Sequence, residues 1–207
     1  MTAFWPRSAR SHAYPNVLTA FLTTPFLTSV GLVAIAEIGD KTQLLSLLLA
    51  ARFRKPWTIL AAILLATIAN HLLAAWLGLW LEQWLTPAVL RWVLGVSFLA
   101  MAVWTLIPDK LDGDAAPPSR WGAFLTTLIA FFIAEIGDKT QLATTALAAR
   151  HAAVMLVTAG STLGLLLANA PVVFLGERLM EKLPLDQVRR LAAGAFAILG
   201  FITLIGW

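Results

Sequence analysis

Residues 36–52 read AEIGDKTQLLSLLLAAR, and residues 134–150 read AEIGDKTQLATTALAAR. The two stretches share 13 of 17 positions at an offset of 98 residues, and the match continues downstream, for example with Phe98 over Phe196. Self-similarity at a fixed offset indicates a duplicated structural unit. The sequence therefore predicts two halves built to one plan.

Apolar segments around these stretches define the limits of the two halves. A segment needs about 20 largely apolar residues to cross a bilayer, and six segments meet that length: 26–50, 57–80, 88–107, 122–148, 153–176 and 188–206. The stretch between the third and the fourth is rich in Asp, Gly and Pro, which is typical of a linker. We therefore assign an N-terminal tail at 1–20, a first repeat at 21–107, a cytoplasmic linker at 108–120 and a second repeat at 121–207.

Composition indicates a membrane protein. Of the 207 residues, 59% are hydrophobic and 13% are charged, and mean hydropathy is +0.81, whereas soluble domains carry about 25% charged residues. Because each repeat holds three spans, an odd number, the second repeat enters the membrane in the opposite sense to the first. The predicted fold is an all-α membrane protein with six transmembrane helices as two inverted three-helix repeats. In such proteins the substrate site lies near the bilayer midplane, where the repeats meet.

The distribution of Lys and Arg predicts the orientation, because cytoplasmic loops carry the excess of these residues. One side has nine, namely Arg52, Arg54, Lys55, Lys110, Arg120, Arg178, Lys182, Arg189 and Arg190, and the other has four, namely Arg7, Arg10, Arg91 and Arg150. The side with nine is therefore assigned to the cytoplasm, and both termini are assigned to the outside. Tryptophans near the ends of the spans are interpreted as interfacial anchors.

Several classes of function are excluded or need no consideration. The chain has no cysteine, so thiolate sites for zinc or copper(I) are excluded and any bound metal must use oxygen or imidazole. The pI near 10.0 requires no nucleic-acid partner, since basic residues of membrane proteins gather in cytoplasmic loops. The sequence contains no H-E-x-x-H helix and no G-x-S-x-G elbow, which argues against an intramembrane enzyme.

The chemistry is concentrated in the repeated motif EIGDKTQ. A carboxylate in the middle of a span costs at least about 2.5–3.5 kcal/mol, so an acid at the same place in both halves predicts a function. On a continuous helix, the Glu, the Asp and the Gln follow one another at intervals of three residues along one face. Two such faces would gather four carboxylates and two amide oxygens, a cage that hard divalent cations such as Mn²⁺ and Ca²⁺ prefer. The predicted metal ligands are Glu37, Asp40, Gln43, Glu135, Asp138 and Gln141.

Six further motif residues are assigned supporting roles: Gly39, Lys41, Thr42, Gly137, Lys139 and Thr140. The glycines permit either close helix approach or a local break, and the threonines offer hydroxyl oxygens or bond back to helix carbonyls. With the two lysines, the four carboxylates carry a net charge of minus two, which one divalent cation or protons would neutralise. No G-x-x-x-x-G-K-(S/T) loop occurs, so uphill transport would depend on an ion gradient, with protons as the expected counter-ion.

Structural alternatives stay open at this point. The Glu and the Lys of each motif are spaced i,i+4, so they could form ion pairs that only join helices. A non-transporting membrane scaffold would tolerate the loss of the buried acids. Polar residues within the second span of each half are interpreted as interhelical hydrogen-bonding groups rather than ligands; they are Asn70, His71 and Asn169.

Two E-φ-G-D-(K/R)-(T/S) motifs, one on the first span of each half, resemble those of the Gdt-one family, also catalogued as uncharacterised protein family sixteen. The resemblance implies a secondary transporter of Mn²⁺ and Ca²⁺ that exchanges the metal for protons and needs no cofactor. It also implies that Glu37, Asp40, Glu135 and Asp138 are the cation-binding acids. Bacterial members export manganese, and the chain lacks the long N-terminal extension of eukaryotic members. We therefore expect a multi-pass Mn²⁺ exporter of the bacterial inner membrane, with a Ca²⁺/H⁺ antiporter as the alternative and the oligomeric state undetermined.

Overall fold

The computed structural model of the chain describes residues 24–108, 121–176 and 184–206, and its regular elements are all α-helices. Eight helices run through these ranges: α1 (Pro25–Glu37), α2 (Lys41–Phe53), α3 (Pro56–Trp84), α4 (Pro87–Thr105), α5 (Gly122–Glu135), α6 (Lys139–His151), α7 (Val154–Leu175) and α8 (Leu185–Ile205). Each half of the sequence therefore gives two short helices followed by two long ones. The predicted all-α class is confirmed.

Some sequence predictions concern residues outside these ranges. They are the N-terminal tail, almost all of the linker, the loop with Arg178 and Lys182, and Trp207. The predictions for these residues stay predictions.

The first and fourth predicted spans, 26–50 and 122–148, are each divided into two helices. The division falls inside the repeated motif, between α1 and α2 and again between α5 and α6. Gly39 and Gly137 occupy the left-handed region, with φ of 81° and 74°, a conformation that is costly for residues with a side chain. Of the two roles that the sequence left open for the motif glycines, the structure shows the local break.

The other helix boundaries agree with the sequence within a few residues. Proline begins α1, α3 and α4 at the first helical position, where its missing N–H is not needed and its fixed φ suits the helix. Thr86 caps α4 by accepting a hydrogen bond from the backbone of Val89. These signals place the long helices where the apolar segments predicted them.

Within the described ranges, four helices are long and apolar enough to cross a membrane: α3, α4, α7 and α8. The apolar helices α1 and α5, of 13 and 14 residues, are shorter than the roughly 20 residues that a span requires. Each is followed directly, beyond the break, by a second short helix.

The two halves interlock. α1 packs along α7 and α5 packs along α3, while α4 packs against α8. α7 approaches α1 closely because Gly160 and Gly164, spaced as G-x-x-x-G, carry no side chain: a Cβ on Gly164 would lie 2.7 Å from the carbonyl oxygen of Val30. Small residues at this spacing let transmembrane helices meet backbone to backbone. The contact holds α1, and with it the first break, against the second half.

Apolar side chains lie on the outside of the described structure and polar ones on the inside. Trp76 and Ile205 are largely exposed, whereas Glu37, His71 and Asn169 are completely buried. In water such a surface would be unfavourable, but hydrocarbon solvates it. The arrangement is that of a membrane protein.

Candidate cation site

The four acids of the motifs lie at the two helix breaks. Glu37 and Glu135 are the last residues of α1 and α5, and Asp40 and Asp138 are the N-cap residues of α2 and α6. All four are at least 98% buried. The prediction that Glu and Asp share one face of a helix was wrong, because the helix ends between them. The break nevertheless brings the two acids of each motif to the same place.

Each threonine of the motif orients both acids of its own break. The Oγ1 of Thr42 donates to Glu37 Oε2 at 2.6 Å, and that of Thr140 donates to Glu135 Oε2 at 3.3 Å. The backbone N–H of each threonine donates to the capping aspartate, as is usual for an N-cap. The D-K-T part of each motif therefore starts a new helix, and its threonine holds the Glu and the Asp of that motif in place.

The glutamines stabilise the breaks themselves. Gln43 Oε1 accepts from the backbone N–H of Gly39 at 2.8 Å, and Gln141 Oε1 accepts from Gly137 at 2.6 Å. These N–H groups have lost their helical partners, so the amide oxygens satisfy them. The proposal that the glutamines also bind the cation stays a prediction.

The two lysines join the halves. Lys41 Nζ lies 3.0 Å from Asp138 Oδ1, and Lys139 pairs with Asp40. Each lysine therefore neutralises the aspartate of the opposite motif. These ion pairs differ from the i,i+4 pairs within each motif, which the sequence left open as an alternative. The lysine side chains differ in burial, since Lys41 is 29% exposed and Lys139 is 4% exposed.

Three acids from both halves converge on one spot. One carboxylate oxygen from each of Glu37, Glu135 and Asp138 lies within 4.8 Å of the others. The Oε1 atoms of Glu37 and Glu135 are buried without a hydrogen-bond partner among the described residues. A buried carboxylate oxygen without a donor is costly, so this arrangement suits a positive ion. Three of the four predicted acids form this group, and the fourth, Asp40, pairs with Lys139.

Buried polar residues of α3 and α7 make hydrogen bonds to neighbouring helices. Asn70 Nδ2 donates to the carbonyl oxygen of Phe132, and Asn169 Oδ1 accepts from Ser46 Oγ at 2.6 Å. His71 Nδ1 lies 3.4 Å from the hydroxyl of Thr162. The interpretation of these residues as interhelical hydrogen-bonding groups is confirmed.

Sequence reasoning missed two features of the site. The first is the exchange of lysines between motifs, and the second is the carbonyl oxygen of Ala168, which accepts from Gln43 Nε2 at 2.8 Å. An alanine carries no signal for such a contact, because the acceptor belongs to the backbone. The lysine exchange had a signal that went unused, since a helix broken at the glycine separates each lysine from its own glutamate.

Comparison with known proteins agrees with this geometry. Residues 25–113 and 123–207 match the family described as Divalent cation/proton antiporter GDT1. The chain belongs to this family.

Relatives of the GDT1 family were found in bacteria and plants. A protein of Vibrio cholerae serotype O1 named "Putative manganese exporter" is 57% identical over 176 residues, which cover 84% of this chain and 88% of that protein. "GDT1-like protein sll0615" of Synechocystis is 27% identical over 170 residues, covering 69% and 78% of the two chains. "GDT1-like protein 4" of Oryza sativa subsp. indica is 28% identical over 203 residues, covering 85% and 70%. No solved structure matches the chain.

Membership of the GDT1 family confirms the resemblance seen in the motifs. The chain is a secondary transporter of the divalent cation/proton antiporter class, a class of transporters rather than of enzymes. The matched ranges include both breaks and all four acids.

Proposed function

We propose that the chain exports Mn²⁺ from the cytoplasm of a bacterial cell in exchange for protons, and that Glu37, Asp40, Glu135 and Asp138 bind the cation. One observation carries the proposal: carboxylate oxygens of three of these acids, drawn from both halves, lie within 4.8 Å of one another in a buried place. The Vibrio relative named as a manganese exporter supports the choice of metal.

The chemistry of the cluster suits a hard divalent cation. Carboxylates and hydroxyls are the ligands that Mn²⁺ and Ca²⁺ take, and the cluster offers neither thiolate nor imidazole. An ion that contacts the unpartnered Oε1 atoms of Glu37 and Glu135 would compensate the cost of burying them.

Charge balance supports protons as the exchanged ion. The four acids and the two paired lysines sum to minus two when all are ionised, so one divalent cation or two protons leave the buried centre neutral. A centre that is neutral in both loaded states avoids carrying net charge through hydrocarbon, which is expensive. The expected exchange is therefore one Mn²⁺ for two protons.

The proposed architecture is six spans in two inverted repeats, with α1–α2 and α5–α6 each forming one broken span. Broken helices that meet near the midplane are typical of inverted-repeat transporters, where irregular backbone is tolerated because it lines the substrate site. The excess of Lys and Arg on one side supports cytoplasmic loops after α2, α4 and α7, with both termini outside. Reporters fused at Asp112 and after Trp207 test this, and a cytoplasmic signal from the Trp207 fusion would overturn it.

Proteoliposomes test the transport proposal. Purified protein is reconstituted with a pH-sensitive dye inside, and flux of Mn²⁺ and of Ca²⁺ is measured with and without a pH gradient. We expect Mn²⁺ movement to drive counterflow of protons. Glu37→Gln and Glu135→Gln should each abolish flux while the protein still inserts, because each keeps the shape of the side chain but removes a ligand charge. Glu82→Gln, the same change at the end of α3, is the matched control.

The same measurement decides between the alternatives. Flux of Ca²⁺ with no flux of Mn²⁺ would make the chain a Ca²⁺/H⁺ antiporter, since both ions accept oxygen cages. Metal flux without any change of internal pH would contradict exchange. Full activity of either Glu→Gln variant would remove that acid from the site.

A further inference from the structure

The first motif is tied to the opposite half by two hydrogen bonds. Gln43 Nε2 donates to the Ala168 carbonyl oxygen at 2.8 Å, and Ser46 Oγ donates to Asn169 Oδ1 at 2.6 Å. The donors belong to α2 and the acceptors to α7. These bonds hold the break of the first half against the second half.

The second motif lacks the corresponding ties. At the repeat offset of 98 residues, Thr144 corresponds to Ser46 and His71 corresponds to Asn169, again a hydroxyl donor and a side chain able to accept, on helices α6 and α3 that pack together. Thr144 Oγ1 instead lies 2.9 Å from Ser161 Oγ. The sequence provides both members of a second tie, but the tie is not formed.

His71 is left with an unused nitrogen. Its side chain is completely buried, and Nε2 has no hydrogen-bond partner within the described ranges. When Nδ1 carries the hydrogen and faces Thr162, a neutral imidazole is an acceptor at Nε2. Buried polar atoms are nearly always paired, so an unpaired one calls for an explanation.

The surroundings of the two glycines show the same inequality. A Cβ on Gly39 would lie 3.0 Å from Leu185 Cδ2, at the start of α8, whereas a Cβ on Gly137 would meet no described atom within 4 Å. Ile136, beside Gly137, is 58% exposed, whereas Ile38 is partly buried. Among the described residues, therefore, the first break is covered by Leu185 and the second has no such cover.

We infer that Thr144 and His71 are positioning residues for transport, forming the counterpart of the Ser46–Asn169 bond in a second state. In that state Thr144 Oγ1 donates to His71 Nε2, the second break is covered, and the Ser46–Asn169 bond opens. The inference rests on the proposed exchange by two inverted halves. Alternation of the two ties exposes the shared carboxylates first on one side of the membrane and then on the other.

Variants at this pair give the first test, measured as cation flux in proteoliposomes. His71→Leu and Thr144→Val remove one partner each, and we expect either to slow turnover about tenfold, as one buried hydrogen bond can shift a two-state equilibrium. His71→Asn should restore the rate, because it copies the acceptor of the first half. Thr105→Val, at a buried hydroxyl of α4, is the control and should leave the rate unchanged. Full activity of both His71→Leu and Thr144→Val, or a His71→Asn as slow as His71→Leu, would overturn the inference.

Cross-linking gives a direct reading of the two states, since the chain has no cysteine of its own. The Cβ of Gly39→Cys would lie 3.7 Å from that of Leu185→Cys, within the range of about 3.5–4.5 Å for a disulfide. This pair should link at rest and stop transport. The corresponding pair, Gly137→Cys with Pro87→Cys, should link only during turnover, and about tenfold more slowly in the His71→Leu background.

Linking of the second pair at the same rate in both backgrounds, or no linking of that pair during turnover in the parent, would contradict the second state. The identity of the cation does not enter this comparison. A parent protein that moves Ca²⁺ and not Mn²⁺ would refute the proposed manganese export. The cross-linking would then be measured during Ca²⁺ transport, and it would still test the second state.

Discussion

The two breaks carry the same seven residues and the same local fold, yet they sit in different environments. In both, a glycine with positive φ separates two helices, an aspartate caps the second helix, and a glutamine satisfies the glycine N–H. The first break is covered by α8 and bonded to α7, while in the described part of the chain no atom lies within 4 Å of a Cβ placed on Gly137 at the second break. The difference teaches that the motif sequence determines the break, whereas its neighbours determine how tightly the break is held.

Replacement of each of the two lysines should cause the largest losses of stability, and the two losses should differ more than those of any other pair of variants. Lys139→Met leaves Asp40 buried without its counter-charge, and breaking a buried ion pair on one side costs about 3–5 kcal/mol. Lys41→Met should cost clearly less, because Lys41 is 29% exposed and its ion pair with Asp138 is therefore already partly screened. The thermal midpoint in detergent, followed by tryptophan fluorescence, measures both.

A double variant separates charge from packing. Lys139→Met with Asp40→Asn should recover most of the lost stability but not transport, because the buried charge is gone while a cation-binding acid is also gone. Equal losses for Lys139→Met and Lys41→Met would show that the difference in burial has no energetic meaning.

The threonine hydroxyls should give a smaller difference. Thr42→Val removes a 2.6 Å hydrogen bond to Glu37, and Thr140→Val removes a 3.3 Å bond to Glu135. A hydrogen bond to a charged group contributes about 1.5–3 kcal/mol, so we expect Thr42→Val to weaken half-saturation by Mn²⁺ about tenfold or more and Thr140→Val to weaken it less. A larger effect of Thr140→Val than of Thr42→Val would contradict the expectation that the shorter hydrogen bond orients its glutamate more firmly.

The smallest difference is expected at the glycines. Alanine at either position must adopt a left-handed conformation, at a cost of about 1–2 kcal/mol. Gly39→Ala should lose somewhat more stability than Gly137→Ala, because its Cβ would also press on Leu185 at 3.0 Å. Adding Leu185→Ala should remove that excess, as judged by the thermal midpoint. If the two glycine variants melt alike, α8 does not hold the first break in solution.

The sequence predicted the helical class, the long helices and the four acids, because apolar length and repeated buried charge are local signals. It did not predict the division of the first and fourth spans. Ile38 and the leucines that follow Gln43 continue the apolar run across the break, and hydrophobicity alone cannot distinguish a broken helix from a continuous one of the same length.

The lysine partners of the acids were missed for a different reason. Lys41 lies four residues after Glu37, which favours a local pair on any continuous helix. The pairing with Asp138 depends on how the two halves dock, and therefore on close contacts such as Gly164 against Val30. The difference in surroundings between the two breaks is likewise a property of the assembled molecule, since the two motifs have the same sequence.

The exchange of lysines between the halves has a consequence for biosynthesis. When the first half leaves the ribosome, Asp40 is already made but Lys139, its counter-charge, is not. The centre can reach its final state only after α6 has been inserted, so folding of the core is delayed until late in translation. A chain severed within residues 109–120 should accordingly yield two fragments that are each short-lived when produced alone and that protect one another from proteolysis when produced together.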